Sequence, residues 1–213
     1  MRLTKHVHAC VTLEERGRTL LIDPGVFEPR APELLSQADA VLISHAHPDH
    51  FDRAALEAEL ARRPSLPIVG LEAVVGGLAE IGTAVEFVNP GDRTDVVGFD
   101  VDVFGGLHAE IYPQEPRVPS VGYLVGGRVY HPGDSYQVPD IAVATLLVPV
   151  SGPWTRFPDA AAFLSAVSPR RAIAIHEAAL SEIGLTMLDA HLGQVGRVPI
   201  PLERLEVGDS TEV

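Results

Sequence analysis

The stretch Leu42–Asp52, "LISHAHPDHFD", is the feature that most constrains what this chain can become. It places three of the nine histidines and two aspartates within eleven residues. An apolar run, "AVLIS", leads into it, and "RAALEAELARR" follows with the Ala/Leu/Glu content of a helix that ends near Pro64. The local expectation is therefore a buried strand, a polar turn and a helix. A turn with the spacing H-x-H-x-D-H can aim several ligand atoms at one volume. Imidazole nitrogen and carboxylate oxygen suit zinc, manganese or iron. By chance the pattern arises on the order of once in a thousand chains of this composition. Four ligands from one loop cannot all close around a single ion, so further ligands must arrive from elsewhere.

The rest of the chain supplies strand ends where such ligands can sit. "HVHACVTLE" and "RTLLID" read as strands joined by "ERGR", and "PGVFEPRAP" as a proline-rich loop. "LPIVG" reads as a buried strand, "LEAVVGGLAEIG" as a helix weakened by Gly76 and Gly77, and "AVEFVNPGD" as a strand and turn. "RTDVVGFDVDVFGG", "SVGYLVGG" and "RVYHPGDS" alternate or are β-branched, which predicts consecutive antiparallel strands. "ATLLVPVSG" and "RAIAIHE" read as strands around the helix "FPDAAAFLSAVSP". "TMLDAHLGQVG" is a late helix, "LERLEV" a final strand, and the terminal "VGDSTEV" is expected to be frayed. Strands outnumber helices early and helices separate strands in each half, which favours a layered α/β sandwich in one domain over residues 1–213.

Three residues then qualify as distant partners for the loop. His108 follows "VDVFGGL", Asp134 lies in "VYHPGDS", and His176 ends "AIAIH". Each stands just past an apolar run, where loops at strand ends commonly build sites.

Bulk properties remove several other function classes. The formal net charge of -13 disfavours nucleic acid as a main partner. Cys10 is the only cysteine, so no internal disulfide is possible, and it reads as a small buried side chain. The first residues lack the apolar core of an export signal. The longest apolar run, "IAVATLLVPV", is about half the ~20 residues a membrane helix needs. A cytoplasmic protein acting on a small molecule, without a membrane, is the expectation. Oligomeric state carries no sequence signature.

Taken together, H-x-H-x-D-H, a later His, Gly-Asp and a strand-terminal His resemble the metallo-β-lactamase superfamily. "LLIDPG" resembles that family's strand ending in Asp-x-Gly, and "YHPGDS" its Gly-Asp-Thr/Ser element. "VPVSGPWTRFPDAAAFLSAVSPRRAIAIH" is similar to the small metal-dependent hydrolases related to L-ascorbate-6-phosphate lactonase. The resemblance implies a four-layer αββα sandwich with the metal site at the sheet edge. It implies one divalent metal on His45, His47 and His108, a second on Asp49, His50 and His176, and Asp134 bridging them. Zinc is the expected metal, with manganese or iron as alternatives. "AIHE" and "HVHAC" depart from this branch's Met-His-Tyr-like and Gly-His-Ser-like stretches.

Such a site would hydrolyse a small ester, lactone or phosphoester with a hydroxide held between the metals, and Asp49 could orient the water or carry a proton. Asp23, ending "LLID", and His131 are candidates to orient ligand histidines. His8, Tyr112, Tyr136, Trp154 and Arg156 are candidates to shape a substrate pocket, with Arg156 holding an anionic group such as phosphate. His6 and His8 share a strand face in this reading, with one of them exposed, and His191 falls on a helix surface. Two other classes stay open: an iron-dependent redox enzyme of the same fold, and a non-catalytic binding protein.

Overall fold

The computed structural model describes residues 1–194, 196 and 198–213. The chain starts with an antiparallel meander: β1 (Arg2–Lys5), β2 (Val11–Glu15) and β3 (Arg18–Ile22). It then winds parallel through α1 (Ala31–Gln37), β4 (Ala40–Ile43), α2 (Arg53–Arg62), β5 (Ile68–Gly70), α3 (Glu72–Val75) and β6 (Val85–Phe87). The second half repeats the plan. β7 (Arg93–Val96), β8 (Phe99–Leu107), β9 (Pro119–Val125) and β10 (Val129–His131) are antiparallel. β11 (Thr145–Pro149), α4 (Phe157–Val167), β12 (Arg171–Ile175), α5 (Glu182–Leu192) and β13 (Leu202–Glu203) continue in parallel, and β14 (Ser210–Glu212) returns to β1. Two mixed sheets result, ordered β14-β1-β2-β3-β4-β5-β6 and β13-β12-β11-β10-β9-β8-β7.

Alternation along the strands sorts side chains into layers. Val121, Tyr123 and Val125 of β9, Leu147 of β11 and Ile173 and Ile175 of β12 join one core with β2, β3 and β4. Their neighbours Leu124, Leu146, Val148, Ala172 and Ala174 point the other way, onto Phe163 and Leu164 of α4 and Leu188 of α5. Leu34 and Leu35 of α1 and Leu56 and Leu60 of α2 cover the outer face of the first sheet. A strand buried on both faces reads as a continuous apolar run, which is how β4 and β11 appear in the sequence. The expected αββα sandwich is the observed fold.

Several elements differ from the expectation, each for a physical reason. Arg2–Lys5 is the first strand, and "HVHAC" is the reversal after it rather than a strand. His6 and His8 are consequently both buried, not one inside and one outside. α1 emerges from the proline-rich segment because Pro32 sits in its first turn, where a missing N–H costs nothing. The helix expected after Leu71 is a single turn that tightens into a 3₁₀ segment, Gly76–Glu80, where two glycines weaken α-helix. α5 begins earlier than the late helix read from the sequence, with the Ser181 hydroxyl accepting from Gly184 N. The C-terminal residues are not frayed: Ser210–Glu212 form the edge strand β14. No helix among the described residues is long and apolar enough to cross a membrane.

Candidate metal centre

All the loops that matter leave the same edge of the sandwich. The H-x-H-x-D-H turn follows β4, and Asp23 follows its parallel neighbour β3. His108, Asp134 and His176 follow β8, β10 and β12, which run in one direction in the second sheet. The H-x-H-x-D-H turn is strapped down at both ends: Val26 N donates to Pro48 O at 2.8 Å and Asp52 N to Pro24 O at 3.0 Å. Asp52 then caps α2, accepting from Ala55 N at 3.0 Å. His45 bridges to Ser120 of β9, which ties the two sheets together at the site.

The seven residues converge in two groups that share Asp134. His45, His47, His108 and Asp134 offer ligand atoms within 4.8 Å of one another. Asp49, His50 and His176 form a second such group, joined by His8. Asp134 lies between them. Its Oδ1 is 3.0 Å from His50 Nε2, and its Oδ2 is 3.3 Å from His108 Nε2 and 3.1 Å from His176 Nε2.

The protonation pattern of the histidines fits a cation. His50 Nδ1 donates to Asp23 Oδ2 at 2.7 Å, His108 Nδ1 to Ala109 O at 2.6 Å, and His176 Nδ1 to Ser151 O at 2.6 Å. Ser44 Oγ donates to Asp23 Oδ2 and therefore accepts from His45 Nδ1 at 2.9 Å. With Nδ1–H held by an outer oxygen, each ring turns Nε2 inward, the arrangement that orients metal-binding histidines, and there His45 Nε2 meets His47 Nδ1 at 3.2 Å. The Nε2 atoms of His50, His108 and His176 and Oδ1 of Asp134 are buried without a hydrogen-bond partner. Nitrogens left so against a buried carboxylate are costly unless a proton or a metal ion stands between them.

Electrostatics give the same answer. Burial pushes the Asp134 carboxyl up, but His50, His108 and His176 outweigh it and hold it well below the usual range. Burial likewise opposes charging of His50 and His176, yet Asp134, with Asp23 for His50 and Asp49 for His176, raises both. Burial, and then the charge of His50, depresses His45; burial, and then His108, depresses His47. The carboxylates thus demand positive charge at the centre, which protons or metal ions can supply.

Residues 2–176 match the Beta-lactamase superfamily domain family. The chain belongs to this superfamily. The protein Rv0786c of Mycobacterium tuberculosis is 36% identical over 183 residues, covering 84% of each chain. A UPF0173 metal-dependent hydrolase of Methanocaldococcus jannaschii is 27% identical over 72% of this chain and 73% of its own. Among solved structures, Igni18, described as a metallo hydrolase of Ignicoccus hospitalis, superposes with a TM-score of 0.70 at 21% identity. It covers 99% of this chain and 97% of its own.

Within this beta-lactamase superfamily chain, the remaining residues singled out from the sequence fall in different places. Asp23 accepts from His50, from Ser44 Oγ and from Ser44 N at 2.7 Å, so one buried carboxylate steadies two of the seven residues. His131 lies beside Asp23, with its Nε2 3.9 Å from Asp23 Oδ2, and ties down a loop: its Nε2 donates to Ala9 O at 2.9 Å and its Nδ1 accepts from Gly133 N at 3.2 Å. Trp154 Nε1 donates to Asp134 Oδ2 at 3.1 Å, and Tyr136 packs edge-on against Trp154 and donates to Pro149 O. Tyr112 is exposed and lines a cleft beside His47 and His108 with Ile111, Pro116 and Arg117. Arg156 lines neither this cleft nor the one formed by Tyr136, Trp154 and Arg117. It is exposed and spends its guanidinium on both oxygens of Asp159. His191 is on the exposed face of α5, and Cys10 is buried, as read from the sequence.

Sequence reasoning passed over Ser44, Lys5 and Arg117. Ser44 is inside the quoted motif stretch and invisible to a search for ligand types. Arg117 Nε donates to His108 O at 2.6 Å and Nη2 to Leu107 O at 3.5 Å, and no carboxylate pairs with its guanidinium among the described residues. A lone arginine in a turn carries no periodic or motif signal.

Proposed function

We propose that this chain is a dinuclear metal-dependent hydrolase of small ester, lactone or phosphoester substrates, with His45, His47 and His108 on one metal, Asp49, His50 and His176 on the other, and Asp134 shared. The observation that carries this reading is the inward Nε2 set: four histidines commit Nδ1–H outward, and three of the facing Nε2 atoms are buried and unpartnered. Metal-dependent hydrolases among the relatives support the reaction class. Two divalent ions bound there would supply an ionised water at neutral pH and electrophilic pull on a carbonyl or phosphoryl oxygen.

The protein's own residues do the rest. Asp23 keeps the His50 ring and, through Ser44, the His45 ring in register. Trp154 Nε1 pins one oxygen of Asp134. Asp49 is held ionised: burial would raise it, but hydrogen bonds from His176 and His8 lower it below the usual carboxylate range. An ionised Asp49 can hold the second metal or take a proton from water, but it is not a reservoir of acid. Arg117 is the cation beside the cleft, so an anionic group on the substrate is read from it rather than from Arg156.

The test is metal quantification after purification without chelators, with a panel of ester, lactone, thioester and phosphodiester substrates. Two zinc or manganese ions per chain with turnover support the reading. Iron with oxygen uptake supports the redox alternative, and metal-free protein without turnover a binding role.

A further inference from the structure

His8 is the one buried histidine at the centre whose protonation pattern is reversed. Its Nδ1 is buried and has no partner, so nothing holds a proton there. Its Nε2 meets Asp49 Oδ2 at 3.1 Å with hydrogen-bond geometry. The rings of His45, His50, His108 and His176 instead direct Nδ1 to an outer oxygen. His8 therefore carries its proton on Nε2 and points it at a carboxylate, where the others direct Nδ1 outward and Nε2 at a shared volume.

The backbone is built to hold this ring. His8 lies at φ 64°, in the left-handed region, facing His176 at φ 67°. Left-handed backbone on a non-glycine residue is strained and persists only where the surroundings over-determine it. Here His176 N and the Nζ of Lys5 both donate to His8 O, at 3.0 and 3.1 Å. Lys5 is fully buried and also pairs with Glu177 at 2.7 Å, which locks the loop after β12 to the reversal after β1. The His8 ring packs at a tilt against His176, with centroids 3.6 Å apart, and meets the edge of Phe27.

We propose that His8 is a positioning residue, whose Nε2–H holds the Asp49 carboxylate turned toward His50 and His176 and so preserves the second metal group. This rests on the ligand assignment given under the proposed function. It adds to the seven residues an eighth that touches the carboxylate and not the metal.

The experiment is a zinc titration of the metal-free chain with stepwise affinities, for the wild type, His8→Phe and His8→Gln. It is paired with long-range ¹H–¹⁵N spectra of the zinc-loaded wild type. His8→Phe keeps a ring on His176 and removes the N–H; His8→Gln returns an N–H near the position of Nε2. Expected are a second-equivalent affinity weakened about 10- to 100-fold in His8→Phe, an unchanged first equivalent, and recovery in His8→Gln. The wild-type spectrum should show the Nε2–H tautomer of His8, a reading that needs no variant to fold. An Nδ1–H tautomer with two zinc ions bound would make His8 a ligand and overturn the proposal, as would unchanged affinity in His8→Phe. A wild type that takes up fewer than two ions overturns the ligand assignment itself, and this role with it.

Discussion

Gly25→Ala is the sharpest test of how the site is assembled, because the side chain it adds has nowhere to go. A Cβ at Gly25 would stand 1.9 Å from Asp49 O, 2.0 Å from Asp49 C and 2.5 Å from His50 N. All three are backbone atoms of the turn after β4, so no side-chain rotation relieves the overlap. The turn must retreat by at least about 1 Å, and it is tied to the same loop by Val26 N to Pro48 O and Asp52 N to Pro24 O. Overpacking against rigid backbone costs about 3 kcal/mol, the upper end of its usual range. For a chain of this length that lowers Tm by roughly 6–12 °C. Since Asp49 and His50 both move, affinity for the second metal should fall as well, by about 100-fold. Calorimetry of the metal-free protein and zinc titration measure the two effects separately. A variant melting within about 1 °C of the wild type, with two ions bound at unchanged affinity, would refute the close approach and the argument built on it.

Other perturbations address the remaining parts of the centre. Asp134→Ala should lose the second metal and nearly all turnover, and retention of two ions with full activity would sink the shared-carboxylate assignment. Asp23→Ala removes the acceptor for His50 Nδ1, Ser44 N and Ser44 Oγ, so metal affinity should drop about 10- to 100-fold; an unchanged titration would show these bonds to be idle. Because Asp134 and its neighbours raise the pKa of His50 and His176, protons compete with metal, and affinity should climb as pH rises through those raised values. A pH-independent affinity between pH 6 and 8 would contradict this competition. Burial first, and then the charges of His176 and His50, lowers His8 to about 4 from 6.5 despite its bond to Asp49. Its folded pKa lies below the unfolded one, so the linked stability is intact above 6.5 and lost as pH falls toward 4, on the order of 3 kcal/mol. NMR titration of the metal-free chain should find the His8 ring neutral down to that range, and a midpoint near 6.5 would rule it out.

Much of the architecture was legible before any coordinates. Runs such as "AVLI" and "TLLVP" announce strands covered on both faces, and alternation in "SVGYLV" places Tyr123 and Leu124 in different cores. The segments around the centre were harder. "HVHACV" alternates like a strand, yet its first half reverses direction, because the bonds of Lys5, His176 and His131 to the backbone of residues 6–9 outweigh local β propensity. "GDSTEV" looked like a loose end because its partner, β1, lies at the opposite end of the chain. Arg156 looked like an anion holder because sequence cannot show that Asp159, one helical turn away, already occupies it.

The sequence by itself determined the superfamily resemblance, the layered fold and the addresses of seven polar residues, since strand periodicity and strand-end position are local and repeat along the chain. Only the tertiary structure decided which atom of each residue faces inward. It also revealed that His8 joins Asp49 across a sequence separation of 41, that Lys5 closes on Glu177, and that Gly25 is pressed against the turn after β4. These are contacts between segments distant in the chain, set by how two sheets meet at one edge, and no local pattern of residues encodes them.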